Sequence, residues 1–439
     1  MPTIFGPTAR DQDNPAVNPS RLVNLFREPV VAGGVSSYIL RSVLGMKQRS
    51  ASPELFCRDM IDMDGVIHAV VGSGLYRFGD TTTKLGTLNA EPATIARNGD
   101  LVTVVSGSQY FVWDGAALTS YTGALTEFGS VTYLAGRTVL SEYDGTKFQW
   151  SDVADPKTLP GLNFASCEQR DDKLLRVMAV NGSLMCFGER STEIWAATGS
   201  GGADAFALIP GAVLDTGIKS RALVCPINGG AFLVGSDGVA YVAAGTSWEP
   251  VSIPGVNAAI DGSDPQRCIY WEHSGHKFAA ITFRGRPAWV FDLATKEWFE
   301  RSFEGDWPIG CACSFGGDYM FGGDDGAIYG PILDGTDFGK PMIRQATSGL
   351  LYDAGQWRTL NQIEFNASFG AQAIEAHLML EISPDGVRWT EPRVVSVGKA
   401  GDYRKRAIFR RLGTYRKWAF RLSLADACDF AIYSDANLT

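Results

Sequence analysis

Apolar residues along this chain recur every second position in short runs, and nearly every run breaks at a Gly, Asp or Asn. Spacing of the i, i+3, i+4 kind is rare; Leu40, Val43 and Leu44 show it briefly before Gly45. Period-two alternation over four to eight residues marks half-buried strands, so the chain reads as all-β. One phrase repeats: an apolar strand, a tight turn, then a strand ending in an aromatic, as in VIHAVVGSGLYRFG from Val66 and NGGAFLVGSDGVAYVAAGTSW from Asn228. Gly65, Gly99, Gly129, Asn181, Asn228, His276 and Gly316 mark comparable points, 34, 30, 52, 47, 48 and 40 residues apart.

Repeats of about 40–50 residues, each holding four short strands, have the period of propeller blades. One twisted four-stranded sheet cannot bury both its faces, whereas sheets packed face to face around an axis cover one another. The expectation is an irregular propeller of six or seven blades over residues 53–335, with consecutive meanders in two sandwiches as the alternative. Composition shifts near Gly335, and the alternating runs beyond it predict a β-sandwich platform over 336–439. In one of them Trp418, Phe420, Leu422 and Leu424 share a face while Lys417, Ala419, Arg421 and Ser423 share the other. Residues 1–52 are too few for a domain and are expected to lend an arm to the platform.

Composition supports this reading without sharpening it: 50 glycines and 11% aromatics in 439 residues suit many strands and tight turns. No apolar run approaches the roughly 18 residues of a membrane-spanning helix, so no membrane span is expected. The opening, MPTIFGPTARDQDNP, lacks a basic n-region and an apolar core, so no secretory signal is expected. Of eight cysteines only Cys311 and Cys313 are close, at a spacing that fits neither a redox pair nor a zinc knuckle. All eight are expected to be free thiols in a protein made in a cytoplasm.

Candidate chemistry is sparse. His273 and His276 flank a Ser-Gly turn, without the helical spacing of a zinc protease, and no nucleophile elbow or P-loop occurs. Asp62/Asp64 and Asp324/Asp325 precede turn glycines without a calcium-loop ligand ladder. No catalytic residue, metal or cofactor is therefore expected, and no enzymatic activity. One phrase, Ser383-Pro-Asp385-Gly386-Val-Arg-Trp389, resembles the Asp-box turn of sialidase-like propellers. It occurs once and lies outside the repeats; it keeps a sialidase-like propeller that binds or cleaves glycans as the alternative function.

Charge is the most pointed feature. The chain carries −9 overall, yet Lys399 to Arg421 hold nine basic residues against the single acid Asp402. The candidate surface is Arg404, Lys405, Arg406, Arg410, Arg411, Arg416 and Lys417. It reads either as a Lys/Arg-rich exposed face or as a contact for DNA phosphates or an acidic protein surface. The nearby aromatics look like core partners, which argues against base-specific readout.

Four phrases carry a family resemblance. Arg21-Leu-Val-Asn24-Leu-Phe-Arg-Glu28 resembles the R-x-x-N-x-[YF]-x-E opening of the packaged-DNA stabilisation proteins, or tail nozzle (tail hub) proteins, of short-tailed bacteriophages. Leu40-Arg-Ser-Val-Leu-Gly45 is similar to the phrase that follows it, and Phe187-Gly-Glu-Arg-Ser-Thr-Glu-Ile-Trp195 to a later strand. Residues 381–424, with Asp385 and Gly386, resemble the family's basic-aromatic ending. The resemblance implies a propeller on a sandwich platform and a homohexameric virion ring, synthesised in the host cytoplasm. It implies contact with the head-to-tail adaptor ring and other tail proteins. The implied role is to close the tail channel over packaged double-stranded DNA, without sequence specificity, and to pass that DNA at ejection.

Overall fold

The computed structural model describes residues 4–5, 14–30, 38–89, 93–352, 355–369, 374–399, 401–402 and 406–438. Seven four-stranded antiparallel sheets form a closed ring, a seven-bladed propeller. Their innermost strands are Cys57–Met63, Ala93–Asn98, Phe128–Leu134, Leu174–Val180, Val224–Ile227, Pro265–His273 and Ile309–Phe315. Each lies against the next, and the seventh lies against the first. Among the described residues the one α-helix, Pro254–Asp261, fills the link between the fifth and sixth blades.

The blades are held by burial between faces. Separate apolar clusters fill the spaces between neighbours: Val70, Val102 and Val104 between blades one and two, and Trp150, Leu184 and Phe206 between blades three and four. The repeat marks sit at the first hairpin turn of each blade with one exception. Gly129 lies inside a strand, where the register slips between Phe128 and Ser130, and the turn is made by Ala135 and Gly136 instead. A glycine in a strand marks a bulge as readily as a turn, so the sequence spacings of 30 and 52 were uneven for a local reason.

Four strands come from the arm: β1 (Arg21–Val23), β2 (Leu25–Pro29), β3 (Tyr38–Ser42) and β4 (Gly45–Ala51). They divide between both halves of the molecule, which corrects the expectation that residues 1–52 serve the platform. Blade seven has three strands of its own, and β4 pairs with Ala327–Ile332 to supply the fourth. The ring is thus closed by a strand from the opposite end of the chain. Gly45 permits this, since a Cβ there would stand 1.7 Å from the Thr336 carbonyl oxygen.

The platform is a sandwich. One sheet orders Arg344–Thr347, Lys417–Leu424, Ala376–Ser383 and Arg393–Gly398; the other orders β2, β3, Phe430–Leu438, Arg358–Phe369 and Ala407–Tyr415. The first sheet does not stop at the platform. Strand β1 pairs in parallel with Glu297–Arg301, the outer strand of blade six, and antiparallel with Arg344–Thr347. Blade six and half of the sandwich are therefore one ten-stranded sheet. One apolar core runs from Phe232 and Trp298 in the propeller to Phe420 and Ile432 in the platform. Strand Lys417–Leu424 is central in this sheet, and Ala419 and Ser423 are buried as well as Trp418, Phe420, Leu422 and Leu424. The strand expected to be half-buried is covered in part on its second face too, where Ala419 and Ser423 accept a neighbour while Lys417 stays exposed.

The junction is pinned by polar groups. Asn24, 1% exposed and at φ 56°, turns the chain from β1 in one sheet to β2 in the other. Asn tolerates this left-handed conformation better than most residues. Its Nδ2 donates to the carbonyls of Ser302 and Ile343, at 2.7 and 2.8 Å. Its Oδ1 accepts from Ser302 N and Arg301 Nη1, each at 2.9 Å. Arg301 also donates to the Leu44 carbonyl and forms an ion pair with Asp337 Oδ2 at 2.8 Å. Asp337 Oδ1 in turn accepts from the Met46 amide, at the start of β4. Removing one partner of a buried pair leaves a stranded charge, at a cost of about 3–5 kcal/mol. Arg301→Met is expected to destabilise the chain by roughly that amount in denaturant titration. Arg97→Met, at the exposed Arg97–Asp64 pair, is expected to change stability far less.

Candidate assembly surface

The basic residues predicted as a surface separate into distinct settings. Arg404 and Lys405 lie outside the described residues. Arg406 forms a bidentate pair with Glu364 on the adjacent strand, which holds the Glu364 carboxyl below its usual range. Its charge is already matched within the fold. Arg410 and Arg411 are both exposed although they are consecutive. Arg411 is at φ 58°, and the register with Arg358–Phe369 shifts between Leu360 and Gln362. This bulge breaks the alternation and turns two arginines outward while Phe409 and Leu412 both stay in the core. Arg393 braces the bulge by donating Nη1 to the carbonyls of Arg410 and Arg411, at 2.6 and 2.7 Å.

Strand Ala407–Tyr415 is the edge of its sheet. Arginines and a bulge on an edge discourage other strands from adding there, so this pair has a structural use in any case. Arg416 and Lys417 sit where the chain crosses to the other sheet, about 20 Å along the strand from Arg410 at some 3.3 Å per residue. Arg416 lies over the exposed Trp357 ring at 5.0 Å, and Lys417 lies 5.8 Å from the Tyr352 ring. Arg421 belongs to neither group: it pairs with Glu381 and stacks on Trp389 at 3.9 Å. From Arg406 onward the stripe is thus two exposed patches joined by one strand.

The other singled-out residues hold the fold together. Arg21 grips Glu300 of blade six with Nε and Nη2, at 2.8 and 2.6 Å. Glu28 pairs with Arg41 across β2 and β3, nearer the surface. Arg27, which no motif reading selected, makes the deeper link to Glu297 and stacks on Tyr38. Arg301 was also missed; an Arg in an aromatic strand gives no sequence signal of a partner at Asn24. In the Phe187–Trp195 phrase, Glu193 Oε1 accepts from the Gln169 amide while its Oε2 accepts from Trp195 Nε1.

The Ser383–Trp389 turn is closed on itself. Asp385 Oδ1 accepts from the amides of Val387 and Arg388, both at 2.8 Å, and from Ser383 Oγ. Those donors hold its carboxyl below the usual range. Gly386, at φ 78°, backs onto the Pro15 carbonyl with no room for a side chain. The histidines are similarly engaged: His276 Nδ1 is 2.6 Å from the buried Asp292, and His273 bonds Ser274. All eight cysteines are free thiols, seven of them buried.

Two family models match in order along the chain. One, described as "Bacteriophage P22 Gp10, beta-propeller", matches residues 1–300; the other, "Bacteriophage P22 Gp10, beta-sandwich", matches residues 343–437. The chain belongs to the bacteriophage P22 Gp10 family. That membership makes it a structural protein of the phage tail and agrees with the family resemblance of its four phrases. No curated protein matches the chain. Among solved structures, one from a mitotic checkpoint complex is similar at 10% identity, with TM-score 0.47, covering 70% of this chain and 100% of that one. PorZ, a surface component of the type-IX secretion system of Porphyromonas gingivalis, is similar at 12% identity and TM-score 0.40, covering 80% of this chain and 46% of that one. Neither bears on function.

The Asp385 geometry makes a defined forecast. Asp385→Ala is expected to lower the melting temperature, and Asp385→Asn, which keeps an acceptor oxygen, to recover much of the loss. Equal melting of wild type and the alanine variant would show that the turn stands without the carboxylate.

Proposed function

We propose that this Gp10-family protein forms a homohexameric ring that closes the tail channel over packaged DNA and passes the DNA at ejection, with no enzymatic activity. The observation that carries the reading is the match of both family models, propeller then sandwich, in the order of the chain. The physical features agree with it. A wall that attracted DNA, which carries one charge per about 1.7 Å of helix axis, would hold it in place. Outside Lys399–Arg421 the chain carries 30 basic and 47 acidic residues, so a lumen lined by that remainder is repulsive and lets DNA slide. The carboxylates singled out along the chain, Asp385, Glu364 and Glu193, are engaged in turns and pairs, which supports a structural role over glycosidase chemistry. Turnover of a sialoside or capsular polysaccharide above a no-protein control would defeat the non-enzymatic reading.

In this proposal the arm strands β1 to β3 and residues from about 336 onward act as the platform, and the propeller faces outward from it. The exposed patches, Arg410 with Arg411 and Arg416 with Lys417, meet an acidic surface of the neighbouring subunit or ring. Arg406 is excluded because Glu364 already neutralises it. An exposed pair is worth on the order of 0–1 kcal/mol, so single alanine changes should leave assembly intact. Changing Arg410, Arg411 and Arg416 together to Glu places repulsion at every repeated interface and is expected to abolish rings in negative-stain imaging and mass photometry. Normal rings that still dock on the adjacent tail component would defeat the assembly role. Normal rings with weakened, less salt-sensitive duplex binding would assign the patches to DNA.

A further inference from the structure

Blades one and seven meet where the propeller closes, and two thiols face each other across that seam. Cys57 opens the innermost strand of blade one, Cys57–Met63, and Cys311 lies in that of blade seven, Ile309–Phe315. Their sulfurs are 3.3 Å apart, although 254 residues separate them along the chain. Cys311 Sγ also lies 3.6 Å from the Cys57 carbonyl oxygen. Both residues are buried, at 2% and 5% exposure.

The surroundings are shaped for this approach. A Cβ on Gly310 would stand 2.5 Å from the Cys57 carbonyl oxygen, so a glycine there lets the two main chains come together. A Cβ on Gly322, the strand neighbour of Cys311, would stand 2.4 Å from Cys57 Sγ and 2.6 Å from Cys311 Sγ. Packing alone asks for small apolar residues at such a point, and a buried thiol serves as one. It does not ask for two sulfurs in contact under a glycine. Each cysteine also sits at an irregularity of its ladder. The register of blade one shifts between Cys57 and Asp59, and that of blade seven between Ile309 and Cys311. Strands bend at such points, where the regular hydrogen bonding is interrupted. A disulfide holds its sulfurs about 2.05 Å apart, so the pair must close by roughly 1.3 Å. Cys311 lines the axial cavity of about 400 Å³ and Cys57 a neighbouring cavity of about 430 Å³. The pair is thus bordered on two sides by space for molecules the size of water. The Cys311 thiol and burial hold the Cys57 thiol well above its ordinary range, which slows its oxidation.

We propose that Cys57 and Cys311 are an oxidisable pair whose disulfide, formed by an oxidant of the peroxide class, locks the seam of the propeller. One sulfur attacks the peroxide O–O bond and becomes a sulfenic acid; its proton leaves with the departing hydroxide as water. The second sulfur then attacks the first, the S–S bond forms, and the sulfenic hydroxyl leaves with the second thiol's proton as another water. Two thiols lose two electrons and one peroxide gains them. In the reduced chain the seam is held by the pairing of β4 in blade seven and by apolar contact between blades seven and one. The disulfide adds a covalent closure that encloses blades one to six in a single loop. Closing so long a loop restricts the unfolded chain strongly. The inference concerns one chain and does not depend on hexamer formation.

The test treats the full chain with a small excess of hydrogen peroxide and alkylates the remaining thiols after unfolding. Peptides from a digest without reductant are then weighed by mass spectrometry, and a parallel sample is melted. A peptide linking Cys57 to Cys311, lighter by two hydrogens than its parts and absent before peroxide, is expected. Its formation is expected to raise the melting temperature by about 3–6 °C, and reductant to reverse both effects. Cys311→Ala is expected to abolish the linked peptide and the shift, whereas Cys313→Ser, two residues on, keeps them. If Cys311→Ala fails to fold, the wild-type peptide and its reversal by reductant decide the matter alone. Three results would each overturn the proposal: Cys57 and Cys311 still alkylated after peroxide, oxidation to sulfinic acid without a link, or a link between Cys167 and Cys186 in its place. A Cys57–Cys311 link with unchanged or lower melting temperature would overturn the lock.

Discussion

The join between propeller and platform is positioned by the contact of Asn24 with Arg301. A seven-bladed ring and a sandwich could be joined by a linker and move independently, as many domain pairs do. Here they share a sheet through β1, and a shared sheet is rigid only if the chain can leave it again without stranding polar groups. Asn24 makes that exit. Its main-chain amide donates to the Glu300 carbonyl, its own carbonyl accepts from Val43, and both side-chain atoms are engaged. The same arginine that caps it reaches Leu44 and Asp337, and so ties the closure of blade seven to the junction of blade six. Ring closure and platform attachment therefore depend on one buried network.

That coupling shapes what the fold can transmit. A propeller closed within its own residues would feel a pull on the platform only through its surface. Here β4 enters blade seven directly after β3 leaves the platform sheet, with only Val43 and Leu44 between them. Force on the sandwich reaches the ring seam through two residues of chain. The apolar clusters between blades one to four lie apart from the continuous core that joins blades five to seven to the platform. The ring thus has a side fused to the platform and a side held only by blade-on-blade contacts.

The sequence revealed elements that rest on local chemistry and hid those that rest on distant partners. Hairpin turns were visible because Gly65, Gly99 and Asn181 have positive φ, which side-chain sterics restrict to few residue types. The alternating runs beyond Gly335 were visible because their alternation is local. Gly129 misled because a bulge and a turn call for the same residue. The fourth strand of blade seven was invisible: Gly45–Ala51 is mostly polar, without apolar alternation, and nothing local says that its partner lies some 280 residues onward. Arg21, Asn24 and Glu28 stood out only by family resemblance, and their roles appeared once Glu300, Ser302 and Arg41 were beside them.

The basic stripe illustrates the same limit and sharpens the functional argument. Counting charge along Lys399–Arg421 treats every arginine alike, yet burial and pairing sort them. Arg406 is matched by Glu364 and Arg421 by Glu381. Among the described residues from Arg406 onward, the exposed arginines and lysine without an acidic partner are a pair on an edge strand and a pair beside Trp357 and Tyr352. An edge guarded by arginine resists unplanned strand addition, and the same charges favour a partner whose surface is acidic. Both properties reside in one place. The bulge at Arg411 provides them by turning two consecutive charges to solvent without opening the core beneath.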